Sequence, residues 1–106
     1  MTTNPYLSLK TKPIVVVPIG VESVSIEQVE DGEPFEDYGV YFVDDRTLAR
    51  RILVNAKLGG QARDGVVVHE LLHAVSDIYG LGLTEKTVRV VEQGLGQALT
   101  RWWARG

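Results

Sequence analysis

Val66-Val67-Val68-His69-Glu70-Leu71-Leu72-His73-Ala74-Val75 is an apolar run interrupted by two histidines and a glutamate at the spacing His-Glu-x-x-His. These are the only two histidines in the chain. On an α-helix, residues four apart share a face and lie roughly 6 Å apart along the axis, so both imidazoles can reach one metal ion. Two histidines that hold Zn²⁺, with a glutamate that handles the protons of a metal-bound water, are the donor set of a zinc hydrolase. A lone histidine on a buried helix is more often a satisfied core residue. Three polar groups set together in an apolar run are another matter, because burying them without a partner is costly. The spacing therefore predicts a helix that carries His69 and His73 as metal ligands and Glu70 as general base.

Composition bounds what surrounds that helix. A chain of 106 residues, 44% hydrophobic and 24% charged, makes one domain with a single modest core. A net charge of −3 with scattered Lys and Arg gives no electrostatic footprint for nucleic acid. With no cysteine there is neither a disulfide nor a thiolate site, so any zinc must be held by nitrogen and oxygen. No run has the length of a signal-peptide core or a membrane span, and a cytoplasmic location is expected.

Upstream of the motif the pattern is β-rich. Residues 1–12 read as a loose N-terminal arm, poorly ordered unless Tyr6, Leu7 and Leu9 dock, and residues 13–106 as the domain. Pro13 to Pro18 is a short strand whose flanking prolines suggest a sheet edge. Val21 to Val29 alternates, with Val24, Ile26 and Val29 on one side and Ser23, Ser25 and Glu27 on the other. Glu30 to Asp37 is an acidic loop broken by Gly32 and Pro34, without the spacing of a calcium loop. Tyr38 to Val43 and Arg51 to Val54 complete a sheet of about four strands, for which an antiparallel meander is the simplest arrangement.

Downstream, the motif helix begins between Gln61 and Gly65 and stops at Tyr79-Gly80. Thr84-Glu85 restarts a helix, with a capping hydroxyl and an acidic first turn, that runs to about Ala104. A small antiparallel sheet, an active-site helix and an antiparallel C-terminal helix make an α+β domain.

A catalytic zinc needs a third protein ligand and an open position. Asp77 lies about 9 Å along the helix axis from the midpoint of the two histidines, too far for its short side chain, and is either a support for His73 or a solvated helix-end residue. In a short-turn helical hairpin, Glu92 lies about 12 Å past Thr84 and the histidine midpoint about 13 Å before Gly80, so the two are level. Glu92 also falls within about 40° of the stripe formed by Val88, Leu95 and Leu99, where a carboxylate needs a partner. A surface pairing with Arg89 or Arg101 is the competing reading of Glu92. Glu85 is expected near Tyr79, compensating the helix dipole, and is the runner-up ligand. The predicted metal set is His69, His73 and Glu92.

From about Tyr38 to Leu99 the chain resembles small zincin-type metallopeptidase domains related to the ImmA/IrrE family, including the short forms common in phages and prophages. The resemblance rests on Ile52-Leu53-Val54 leading to Leu58, on Val68-His69-Glu70-Leu71-Leu72-His73-Ala74, and on Tyr79-Gly80-Leu81-Gly82-Leu83-Thr84-Glu85 with Val88, Leu95 and Leu99 behind. The connector is the more specific part, since many zincins share His-Glu-x-x-His. The resemblance implies a minimal zincin-like fold and a Zn²⁺ protease with ligands His69 and His73, Glu70 as acid/base, and an acidic third ligand from the next helix. It also implies a bacterial host cytoplasm if the gene is a phage's or prophage's. One position departs: Arg89 stands where phage-type members tend to carry an acidic residue, so either the ligand has moved one turn to Glu92 or the site is degraded.

The expected activity is hydrolysis of a peptide or protein substrate. The competing reading is a non-catalytic, metal-stabilised interaction or structural protein, a phage or prophage accessory that retains the motif. Tyr38, Tyr41 and Tyr79 are candidates to hydrogen-bond a developing oxyanion, although a ring in the core with its hydroxyl at the surface is the more common role for each. In the tail, Trp102 is expected to extend the core stripe and Arg101 and Arg105 to offset the helix dipole. Trp103 is a candidate contact in a homo-oligomer.

Overall fold

A computed structural model describes residues 4–105, and the side chains among them other than those of residues 100 and 103–105. The expected roles of Trp103 and Arg105 lie outside those side chains, as Met1–Thr3 lie outside the described residues. Four strands, β1 (Thr11–Ile19), β2 (Glu22–Val29), β3 (Gly39–Val43) and β4 (Arg50–Val54), precede two helices, α1 (Gly60–Tyr79) and α2 (Glu85–Arg105). The class is α+β.

The sheet is mixed, which corrects the expected antiparallel meander. Its order is β1-β2-β4-β3: β2 and β4 run parallel, and the two outer pairs are antiparallel. The reason lies in β4. Ile52, Leu53 and Val54 are all fully buried, so both faces of this strand are covered, and a strand of that kind belongs in the interior of a sheet. β2 alternates, with Val24 and Ile26 on the helix side, but Val29, expected beside them, stands an odd number of residues from both and lies on the opposite face. The loop from Glu30 to Tyr38 carries the chain past β4 and is anchored by buried Phe35, leaving β3 at the outer edge. β1 forms the other edge, as Pro13 and Pro18 suggested.

α1 covers one face. Val67, Leu71 and Ile78, with buried Ala74, follow the spacing i, i+4, i+7, i+11 and pack on Val24, Ile26, Ile52 and Val54. On the opposite face Val29, Phe35 and Leu53 form a second cluster. The segment expected as a loose arm docks here: Pro5–Ser8 form one 3₁₀ turn, Tyr6 and Leu9 pack on the cluster, and Thr11 and Lys12 already belong to β1. The Tyr6 ring stacks on Phe42 at 5.6 Å and meets Phe35 edge-on at 5.9 Å. Among the described residues, no helix is long and apolar enough to cross a membrane.

Candidate metal centre

The path of the connector positions the site. α1 ends at Gly80, whose φ of 64° is the left-handed cap that glycine adopts without strain. The chain then doubles back along α1. The Leu81 N–H donates to the Ser76 carbonyl at 2.8 Å, and the Leu83 N–H donates to the Ser76 hydroxyl at 2.9 Å. Thr84 caps α2 by accepting the Thr87 N–H at 3.1 Å, as the sequence predicted. Because Leu83 is tied to Ser76, α2 begins beside the histidines instead of beside Tyr79.

That offset changes the third partner. The Glu85 carboxylate lies 2.8 Å from His69 Nε2 and 2.9 Å from His73 Nε2, and the two Nε2 atoms are 3.3 Å apart. His69, His73 and Glu85 each turn a donor atom to a common point, all within 4.8 Å of one another. Glu92, expected in that place, lies 3.0 Å from His69 Nδ1, the opposite ring nitrogen. The level and the face expected for Glu92 assumed a tight turn with Thr84 opposite Gly80. The connector running back along α1 slides α2 so that Glu85 takes the place opposite the two Nε2 atoms.

Glu70 is 9% exposed and lies against β3, beside Gly39. Burial raises its pKa; the nearby histidines and the Tyr41 N–H oppose the rise without cancelling it. For His69 burial acts downward, but the hydrogen bond to Glu92 and the charges of Glu70, Glu85 and Glu92 prevail, and its pKa is raised. Gly39 lets β3 come this close: a Cβ there would collide with Val66 Cγ1 and lie 3.4 Å from Glu70 Cγ.

The remaining candidates sort by their contacts. Asp77 neither supports His73 nor stands free; it accepts from the Tyr41 hydroxyl at 2.7 Å and pairs with Arg50. The Tyr41 hydroxyl is therefore engaged, and it also accepts from Arg50. Tyr38 is 72% exposed and lines the cleft, whereas the Tyr79 hydroxyl lies against Gly20. Arg89 stands at the cleft wall, its Nε 3.7 Å from Glu85. The expected surface partners of Glu92 are replaced by His69.

Two contributors were not read from the sequence. Ser76 fixes the connector, and the Tyr41–Asp77–Arg50 cluster ties α1 to β3 and β4; neither has a sequence signal, since both depend on contacts between separate elements. The cleft between β3, α1 and the start of α2 has a volume of about 1180 Å³, ample for a peptide segment. Two imidazole nitrogens and one carboxylate, all capable of facing a cleft, fit the three-ligand set of a catalytic zinc site and use no sulfur. No family model, curated protein or solved structure matches the chain.

Proposed function

We propose that the protein is a zinc-dependent metallopeptidase. The observation that carries this reading is the convergence of His69 Nε2, His73 Nε2 and the Glu85 carboxylate at one wall of the cleft, with buried Glu70 beside them. Zinc held by these three residues would supply Lewis acidity towards the scissile carbonyl and acidify a water. Glu70 would take a proton from the attacking water and deliver it to the amine nitrogen as the C–N bond breaks. Its raised pKa suits both halves of the exchange, since a carboxylate with an ordinary pKa is a weak acid-base partner near neutrality. Tyr38 is the tyrosine whose exposed ring on the cleft wall leaves it able to meet a bound peptide.

The test is zinc content together with cleavage of unstructured peptides by the wild type and Glu70→Gln. Stoichiometric zinc in both and cleavage in the wild type alone are expected; equal cleavage by the two proteins would sink the mechanism. The second reading, a metal-stabilised interaction protein, is favoured by one observation. Arg89 sits close enough to Glu85 to draw on its charge. On that reading zinc is bound, neither protein cleaves, and Arg89→Ala tightens zinc binding without creating activity.

A further inference from the structure

We propose that Glu92 is a positioning residue for His69: its carboxylate takes the Nδ1–H of the ring and so fixes the tautomer that presents an Nε2 lone pair to the metal position. This rests on the zinc site proposed above.

The two nitrogens of one imidazole point away from each other, so a carboxylate on Nδ1 cannot join the ligands gathered at Nε2. Glu92 Oε2 lies 3.0 Å from Nδ1, whereas Glu85 Oε1 lies 2.8 Å from Nε2, so the ring is held between two carboxylates. Both come from α2. They are seven residues apart, two helical turns, and therefore share one face. On α1 the corresponding row is Gly65, His69 and His73, four apart. Glu92 lies over Gly65, where a Cβ would stand 3.6 Å from Oε1. The ring is enclosed as well, with the His69 side chain 17% exposed and that of Glu92 27% exposed. A metal-bound histidine ordinarily gives its other N–H to a carboxylate or carbonyl, which sets the tautomer and makes the ring a better donor. Among the described contacts, Glu92 is the acceptor at Nδ1.

The experiment compares the full chain with Glu92→Ala, Glu92→Gln and Glu85→Ala by zinc competition with a chromophoric chelator and by ¹⁵N NMR of the histidine rings. Glu92→Ala is expected to bind zinc roughly tenfold to a hundredfold more weakly. Glu92→Gln keeps an oxygen acceptor and should fall between it and the wild type. In the zinc-loaded wild type the His69 ring should carry its proton on Nδ1. Equal affinity in Glu92→Ala and wild type would overturn the assignment. So would a loss as complete as that of Glu85→Ala, which would make Glu92 a ligand. If Glu92→Ala does not fold, Glu92→Gln and the tautomer decide. If the wild type binds no zinc, the proposed function falls, while the grip of Glu92 is still read in the metal-free protein from the His69 Nδ1 resonance: a resonance unmoved by Glu92→Gln would refute it.

Discussion

At Gly39 a single missing Cβ sets how closely the edge strand approaches the motif helix. The backbone of β3 lies against Val66 and Glu70 there, and a methyl group has no room. Gly39→Ala is expected to lower stability by about 1–3 kcal/mol, the usual cost of overpacking, and to displace the Glu70 side chain that lies against it. Denaturant unfolding measures the first effect, and a fall in peptide cleavage beyond what lost stability explains measures the second. At this scale the sequence was informative where chemistry repeats at a fixed spacing. His69, Glu70 and His73 were readable because four residues of helix bring two imidazoles to one face whatever the rest of the chain does. Their partner was not, because choosing Glu85 over Glu92 depends on one hydroxyl, that of Ser76, drawing the connector back along α1. A serine among the polar residues of a helix end gives no sign that its Oγ will accept a backbone N–H seven residues on.

At the scale of elements, α2 is held by few groups. Val88 is fully buried, whereas Val90, Val91 and Leu95 remain exposed. Gly94 lies mid-helix with nothing within 4 Å of the position a Cβ would occupy. Gly94→Ala should therefore stabilise the protein, by about 0.5–1 kcal/mol from helix propensity alone, read as a rise in the unfolding midpoint with unchanged zinc binding. No change or a decrease would mean that the glycine is needed for a contact. The strands show the same division between local and non-local information. Alternation in β2 was legible for Val24 and Ile26 but misplaced Val29, which packs on the opposite face. The unbroken Ile52-Leu53-Val54 run carried the signal for an interior strand, but pairing order depends on where a loop crosses, and the Phe35 anchor that sends it past β4 acts over a distance no periodicity records.

Across the whole molecule the sheet is fastened by a largely buried ion pair between neighbouring strands. Glu27 on β2 receives both Arg51 Nε and Nη2 from β4, at 2.9 and 2.8 Å, and the hydroxyls of Thr11 and Ser25 at 2.6 and 2.9 Å. Burial opposes ionisation of this carboxylate, but the Arg51, Thr11 and Ser25 hydrogen bonds and the Arg51 charge prevail, and its pKa lies below the ordinary 4.5. A carboxylate with a depressed folded-state pKa contributes stability that is complete above its unfolded value and is lost as pH falls through the folded one. Stability should therefore decline below about pH 4.5. Glu27→Gln should flatten that decline and lower stability at neutral pH by about 3 kcal/mol, because Arg51 is left half-buried without its partner. Unfolding curves at a series of pH values check both, and an unchanged acid limb in the variant would assign the decline elsewhere.

The connector that folds back on Ser76 also draws a line through the chain. Everything before it supplies the imidazoles and Glu70, and everything after it supplies Glu85 and Glu92. Gly80, Leu81 and Gly82 on that line are exposed, a place where a proteolytic nick is tolerated. Cut there, the protein becomes two fragments, neither of which holds a full donor set. If the site holds zinc as proposed, mixing them would make the metal the glue between them, and the zinc concentration needed for reassembly would measure how strongly the helices hold each other without it.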